Sequence, residues 1–285
     1  MEKINAYEEY MSVIRKVFSG KRFYTNNLMP AQEIKEKIEN GQVYCIEEEW
    51  GAWILVDEET YYTAAIYLIC GKGFRKPEGV KKPIITELVG TRTKYCEELE
   101  NVFCEMGFQP HARNLEMTSG VNDMEKAFRA AESGKKFFSR HGFVFHKMSE
   151  LKEETFIKVW KIWLDTIDNF AIRTFTPEEY QRMVRNDRGV FVTDSSGEVA
   201  GAGCYSKEGV ISYAHHIAVS KRYNGIGLGG VIMNECASKA FQSGTEKYVI
   251  WIADDNEESI SMQKSISVFT GKYSKQFILQ GEEEK

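Results

Sequence analysis

The residues with the clearest chemical potential lie at 213–230, which read Y-A-H-H-I-A-V-S-K-R-Y-N-G-I-G-L-G-G. Glycines at 225, 227, 229 and 230 follow an apolar, β-branched run and precede a helical pattern. Glycine lets the main chain approach an anion closely, and the free N–H groups of a helix start can hold a pyrophosphate. Such a turn serves tight packing as readily as a ligand when it stands alone. Upstream, the imidazole of His215, whose type titrates at about 6.5, suits acid/base work at neutral pH. The period-two rule places Tyr213, His215, Ile217 and Val219 on one strand face and His216 on the other. His215 is therefore the candidate base and His216 a structural residue, although paired histidines in a strand also suit a purely structural role.

A second segment, Y-V-I-W-I-A-D-D-N-E at 248–257, reads as a strand that ends in a polar turn before a helix at 259–266. It adds Asn256, Ser259 and Gln263.

These segments need a scaffold. Helical spacing predicts helices at 7–18 and 30–38, then short aromatic and β-branched runs at 43–46, 52–56 and 61–70 predict an antiparallel meander. A strand at 84–88, a helix at 94–105 closed by Gly107 and a strand at 109–117 complete a first α+β unit ending near 118. Residues 121–139 form a charged helical pattern interrupted by Gly134, read as a connector into a strand at 143–147. A helix at 153–168, a second one starting at Thr176-Pro177 and strands at 190–193, 199–205 and 210–219 then repeat the first meander. The halves look like a diverged repeat. They differ after the long third strand, where the second half has the glycine turn and a helix and the first has a Lys/Pro loop containing only Gly71-Lys72-Gly73.

On these motifs the chain resembles the GNAT superfamily of N-acetyltransferases. The family's acyl-CoA loop, V-x-x-x-x-[QR]-x-x-G-x-[GA], is matched by Val219 and by Asn224, Gly225, Ile226, Gly227, Leu228, Gly229 and Gly230, with Asn224 in place of Gln or Arg; Arg222 offers a second, shorter register. The next family motif is matched at Asn256, Ser259, Ile260, Met262 and Lys264 or Ser265, and departs at Ser267-Val268 and at Gln263, where relatives often carry the Tyr that reprotonates the leaving thiolate; an amide does not titrate, so Tyr213, Tyr273 or water would have to serve. The resemblance implies acetyl-CoA as co-substrate, with the thioester between two splayed strands and its carbonyl held by main-chain N–H groups of Ile217, Ala218 and Val219. It implies the fold as well: α+β, as tandem GNAT-like domains, each a mixed, mostly antiparallel central sheet flanked by helices. The expected boundaries are a degenerate N-terminal domain at 1–120, a helical connector at 121–142 and an acetyltransferase domain at 143–285.

The whole chain sets further limits. Its 285 residues carry a net charge of -5, which offers no bulk attraction to nucleic acid or anionic lipid. No run is apolar enough for a bilayer, and the first residues form no leader pattern, so a cytoplasmic protein is expected. Six scattered cysteines lack metal spacing and read as reduced thiols, and no metal is called for. Trp160 and Trp163 read as core or pocket wall. The expected activity is transfer of an acetyl group from CoA to a primary amine of a small molecule, with His215 and Tyr213 as catalytic residues. The alternative is a non-catalytic acyl-CoA-binding or partner-binding module. Residues 160–175 and 273–277 are expected around the acceptor, Asp165 and Asp168 favour a cationic amine, and the reading leaves room for a homodimer.

Overall fold

A computed structural model describes residues 1–18, 23–27, 29–69, 75–91, 94–167 and 177–281. The chain packs as two compact units, one formed by residues 1–114 with 271–285 and the other by residues 115–270.

In the first unit, β1 (Glu2–Lys3), α1 (Tyr7–Phe18), β2 (Phe23–Thr25) and α2 (Ala31–Glu39) precede β3 (Val43–Glu48), β4 (Gly51–Asp57) and β5 (Tyr62–Ile69). β6 (Ile84–Thr91), α3 (Lys94–Glu105) and the start of β7 (Gln109–Gly120) follow. The period-two patterns in β3 and β5 and the apolar stripes of α1 and α2 bury Val13, Ile14, Ile34, Ile38, Val43 and Ile54 in one layer. On the other face Trp53, Phe103 and Phe108 form a second layer, with Trp53 and Phe108 stacked at 5.7 Å. β5 runs parallel to β6 only over Tyr62–Ala64 against Ile84–Thr86.

The second unit takes the end of β7, then α4 (Met124–Arg140), β8 (Val144–Lys147), α5 (Glu153–Thr166) and α6 (Pro177–Arg185). β9 (Gly189–Thr193), β10 (Val199–Glu208), β11 (Ile211–Val219), α7 (Leu228–Gln242), β12 (Lys247–Ala253), α8 (Glu257–Gln263) and the first residues of β13 (Val268–Leu279) complete it. The strand order is β7-β12-β11-β10-β9-β8; β8 to β11 pair antiparallel, and β11 meets β12 in parallel. α7 packs on one face of this sheet through Leu228, Ile232, Cys236 and Phe241, and α5 on the other through Val159 and Trp163. The mixed, mostly antiparallel sheet with flanking helices is the expected fold class.

The boundaries differ from those read off the sequence. Residues 272–279 of β13 pair antiparallel with β6, and the fully buried Phe277 lies 5.5 Å from Phe103, so the end of the chain belongs to the first unit. Long-range pairing is invisible to local pattern. Residues 124–140 are no connector: α4 buries Ala127, Ala131 and Phe138 against α7 and neighbouring strands. Gly134 does not interrupt it, because a Cβ there would lie 2.4 Å from Val231 Cγ2, so the glycine is a site of close helix packing. The Gly71-Lys72-Gly73 fragment, Thr176 and Asp168 lie outside the described residues, as does Cys70. Cys45, Cys204 and Cys236 are buried free thiols, Cys96 is half-buried and Cys104 is exposed.

Candidate active site

Two parallel strands that diverge make an opening with main-chain polar groups on its rim. β11 pairs with β12 only at Ile211↔Lys247, Ser212↔Tyr248 and Tyr213↔Val249, after which β11 continues to Val219 and β12 to Ala253. Tyr213 is thus the last paired residue before the splay. Ala214 and Ile217 from β11, Ile250 and Ile252 from β12, Met233 from α7 and Met262 from α8 form one apolar cluster beside it.

A β-bulge re-aims β11 at this point. Between the pairs Ala202↔Ala218 and Cys204↔His215, β10 contributes Gly203 alone while β11 contributes His216 and Ile217. His216 takes φ +40°, a left-handed conformation that costs a non-glycine residue about 1–2 kcal/mol. The extra residue breaks the expected alternation. Ala214, Ile217 and Val219 pack on the α7 side, whereas Ala218 packs on the α5 side. His216 sits there too, its ring 5.1 Å from that of Trp163 and 6.2 Å from that of Trp160. Tyr213 and His215 precede the bulge and face the α5 side opposite Ala214. Tyr213, His215, Ile217 and Val219 therefore do not share one face, and the two histidines are not on opposite ones; their rings are 6.3 Å apart.

His215 is half-buried, and its Nε2 lies 2.8 Å from Ser206 Oγ on β10. Burial raises the phenol pKa of Tyr213, with the carboxylates Glu208 and Glu116 acting in the same direction, so it stays protonated at neutral pH. Trp163 is fully buried and belongs to the core, while Trp160 is half-buried against Phe156. Asp165 is exposed.

At the end of β11, Ser220 N–H donates to Ala200 O and a single 3-10 turn at Lys221–Tyr223 leads into the glycines. Gly225 at φ +76° and Gly227 at φ +86° turn the chain, and a Cβ at either would meet nothing within 4 Å. Among the described residues no backbone carbonyl accepts from the N–H groups of Gly225, Ile226 or Gly227, and no side chain caps α7. The first intrahelical bond is Val231 N–H to Gly227 O, which leaves the amides of Leu228, Gly229 and Gly230 without intrahelical acceptors. Six consecutive amides, 225–230, therefore stand at an open helix N-terminus. Leu228 itself is buried and anchors the helix, and Gly230 gives room to Met262, whose Sδ would be 2.6 Å from a Cβ there. Asn224 ends the 3-10 turn.

Asp194 braces the loop from outside. It accepts from Ser196 Oγ (2.6 Å), from the amides of Ser196 and Glu198, and from Tyr223 Oη (2.5 Å), and Arg222 lies 3.8 Å away. These hydrogen bonds, that of Ser196 foremost, hold its carboxyl well below the usual range.

The second motif divides. Asn256 caps α8 by accepting from the Ser259 amide at 3.0 Å, so both serve the helix that borders the splay. Gln263 is fully buried and donates to Ser267 Oγ. Residues 273–277 lie in β13, paired with β6 in the first unit. Local pattern missed Ser206 and the bulge, although the small-residue run Gly201-Ala202-Gly203 in β10 is a signal for one.

Residues 147–265 match the family model described as Acetyltransferase (GNAT) family. A solved GCN5-related N-acetyltransferase from Sphaerobacter thermophilus shares the fold with a TM-score of 0.56 at 9% identity, over 96% of this chain and 92% of that one. A tandem GNAT protein from the clavulanic acid biosynthesis pathway gives 0.51 at 11% identity, over 83% and 80%. The glucosamine N-acetyltransferase region of a fungal multi-domain GH3 β-N-acetylglucosaminidase gives 0.57 at 10% identity, over 95% of this chain and 36% of that one.

Proposed function

Residues 147–265 match the GNAT acetyltransferase family model, and from that similarity we propose that the chain transfers an acetyl group from acetyl-CoA directly to the primary amine of a small, cationic molecule. The observation that carries this reading is the combination of the β11/β12 splay with six consecutive amides at 225–230 that have no backbone acceptor among the described residues. The residues present fit such a co-substrate. Amides 225–230 would hold the pyrophosphate, and the open space above Gly225 and Gly227 admits it without a side-chain clash. The unpaired edge of β11 beyond Tyr213 would receive the pantetheine arm, and the amides of the bulged segment at Ile217, Ala218 and Val219 would hold the acyl carbonyl and the negative charge that develops on it.

Acetyl-CoA supplies a carbonyl carbon bonded to a sulfur that leaves readily. His215 takes the proton from the acceptor's ammonium, directly or through water, and Ser206 orients its ring. The freed nitrogen bonds to the carbonyl carbon as the carbon–sulfur bond breaks, the electron pair departs on sulfur, and the nitrogen releases its second proton, which through water replaces the one that Tyr213 gives to the sulfur. Tyr213, kept protonated by burial, stands two residues from His215 as proton donor to that sulfur. A second reading, acyl-CoA binding without catalysis, draws on Gln263, because no titratable group occupies that position.

Calorimetry with acetyl-CoA tests the binding. The wild type is expected to bind, and Gly227→Glu and Gly229→Glu to lose binding, because a carboxylate then meets the phosphates. Unchanged binding in both variants would sink the loop assignment. Release of free thiol with a panel of amines separates the two readings: turnover with at least one amine supports the enzyme, and binding without release supports the module.

A further inference from the structure

We infer that this chain has one acyl-CoA site, because the cleft of the first unit that corresponds to the splay of the second is filled by the chain's own segment 23–27. The site count rests on the reading of the second unit given above; the closure of the first does not. The two units splay alike: β5 leaves β6 after Ala64↔Thr86, as β11 leaves β12 after Tyr213↔Val249. In the second unit the edge of β11 beyond that point pairs with no strand among the described residues. In the first unit it does. β2 lies antiparallel along β5, Phe23↔Ile69, Tyr24↔Leu68 and Thr25↔Tyr67, on the edge left by β6, because β4 already occupies the other edge through Leu68.

Asn26 then bridges the gap itself. Its Oδ1 accepts the Ile66 amide of β5 at 2.8 Å, and its Nδ2 donates to Glu87 O at 2.9 Å and Thr86 Oγ1 at 2.7 Å on β6. A carboxamide carries one acceptor and two donors, as a pantetheine amide carries both kinds, so Asn26 satisfies the strand groups that an extended ligand would otherwise use. Asn27 pins the segment from the other side, donating to Tyr67 Oη at 2.7 Å and Tyr10 Oη at 3.2 Å. A ligand entering this cleft would have to break these bonds and leave buried strand groups unpaired.

Hydrogen exchange on the full chain reads the plug at one amide. The Ile66 N–H is expected to be protected in the wild type, to exchange at least about tenfold faster in Asn26→Ala, and to keep its protection in Asn26→Asp, which retains the acceptor. The Ile54 amide at the centre of β4 serves as the control for folding. Native mass spectrometry with acetyl-CoA is expected to show one molecule bound per wild-type chain, and none in Gly227→Glu. A second bound molecule, binding that survives in Gly227→Glu, or an Ile66 amide that exchanges equally fast with and without Asn26 would overturn the inference. Absence of any bound acetyl-CoA would overturn the single site and the reading of residues 211–263 together, while the exchange result decides the closure separately.

Discussion

His216 carries the main chain through a left-handed conformation at the centre of β11, and that one residue decides which side chains meet. With regular alternation, His215 would share its face with Ile217; with the bulge, His215 and His216 both sit on the α5 side and Ile217 joins the apolar cluster beside the splay. His215→Ala is expected to lower kcat by about 10²- to 10⁴-fold with little change in affinity for acetyl-CoA, measured by thiol release and calorimetry. Ser206→Ala should fall between that variant and wild type, since it loosens the ring without removing it. Asp194 carries a pH signature. Its carboxyl pKa is depressed in the folded protein, so its contribution to stability is present above the unfolded value of about 3.9 and is lost as the pH falls through the folded one. Asp194→Asn should therefore melt below wild type at pH 7, with the gap narrowing below about pH 4. It should also weaken acetyl-CoA binding by freeing Tyr223 beside the loop.

The elements that hold these residues were largely legible from local pattern. α1 runs over the residues its apolar spacing predicts, and the meander 189–219 appears as three strands with turns at Asp194–Gly197 and Gly209. Glycine was read less well, because its reason differs from place to place. Gly225 and Gly227 are required by positive φ at an open corner, whereas Gly134 is required by contact with Val231 in a continuous helix. Gly134→Ala makes the difference measurable. Helix propensity alone would favour alanine by about 1 kcal/mol, but overpacking against a stiff β-branched partner costs about 1–3 kcal/mol. A net loss of stability in denaturant unfolding is expected, and a gain would show that α4 and α7 are less closely packed than described.

At the scale of the molecule, the chain's last strand completes its first unit. Residues 272–279 cover the edge of β6, and Phe277 fills the layer around Phe103. Deleting residues 271–285 removes that aromatic, a loss of about 3–5 kcal/mol by analogy with Phe→Ala, and exposes β6. Scanning calorimetry should show the first unit's transition lowered by about 10 °C or more, with residues 115–270 melting close to their original temperature. Equal shifts in both transitions would argue that the two units unfold together.

What residue order determined by itself was everything whose cause is local: the strand and helix periods, the turn residues, and glycines spaced for an open corner at a helix start. The tertiary structure decided the rest. Gln263 is buried with Ser267, β11 changes face at His216 because Gly203 across the sheet allows a bulge, and Asn26 closes a cleft whose strands lie 40 and 61 residues away. Each depends on a partner that only packing brings near, and the hydrogen bonds of a buried group are set by where the chain returns, not by its neighbours in sequence.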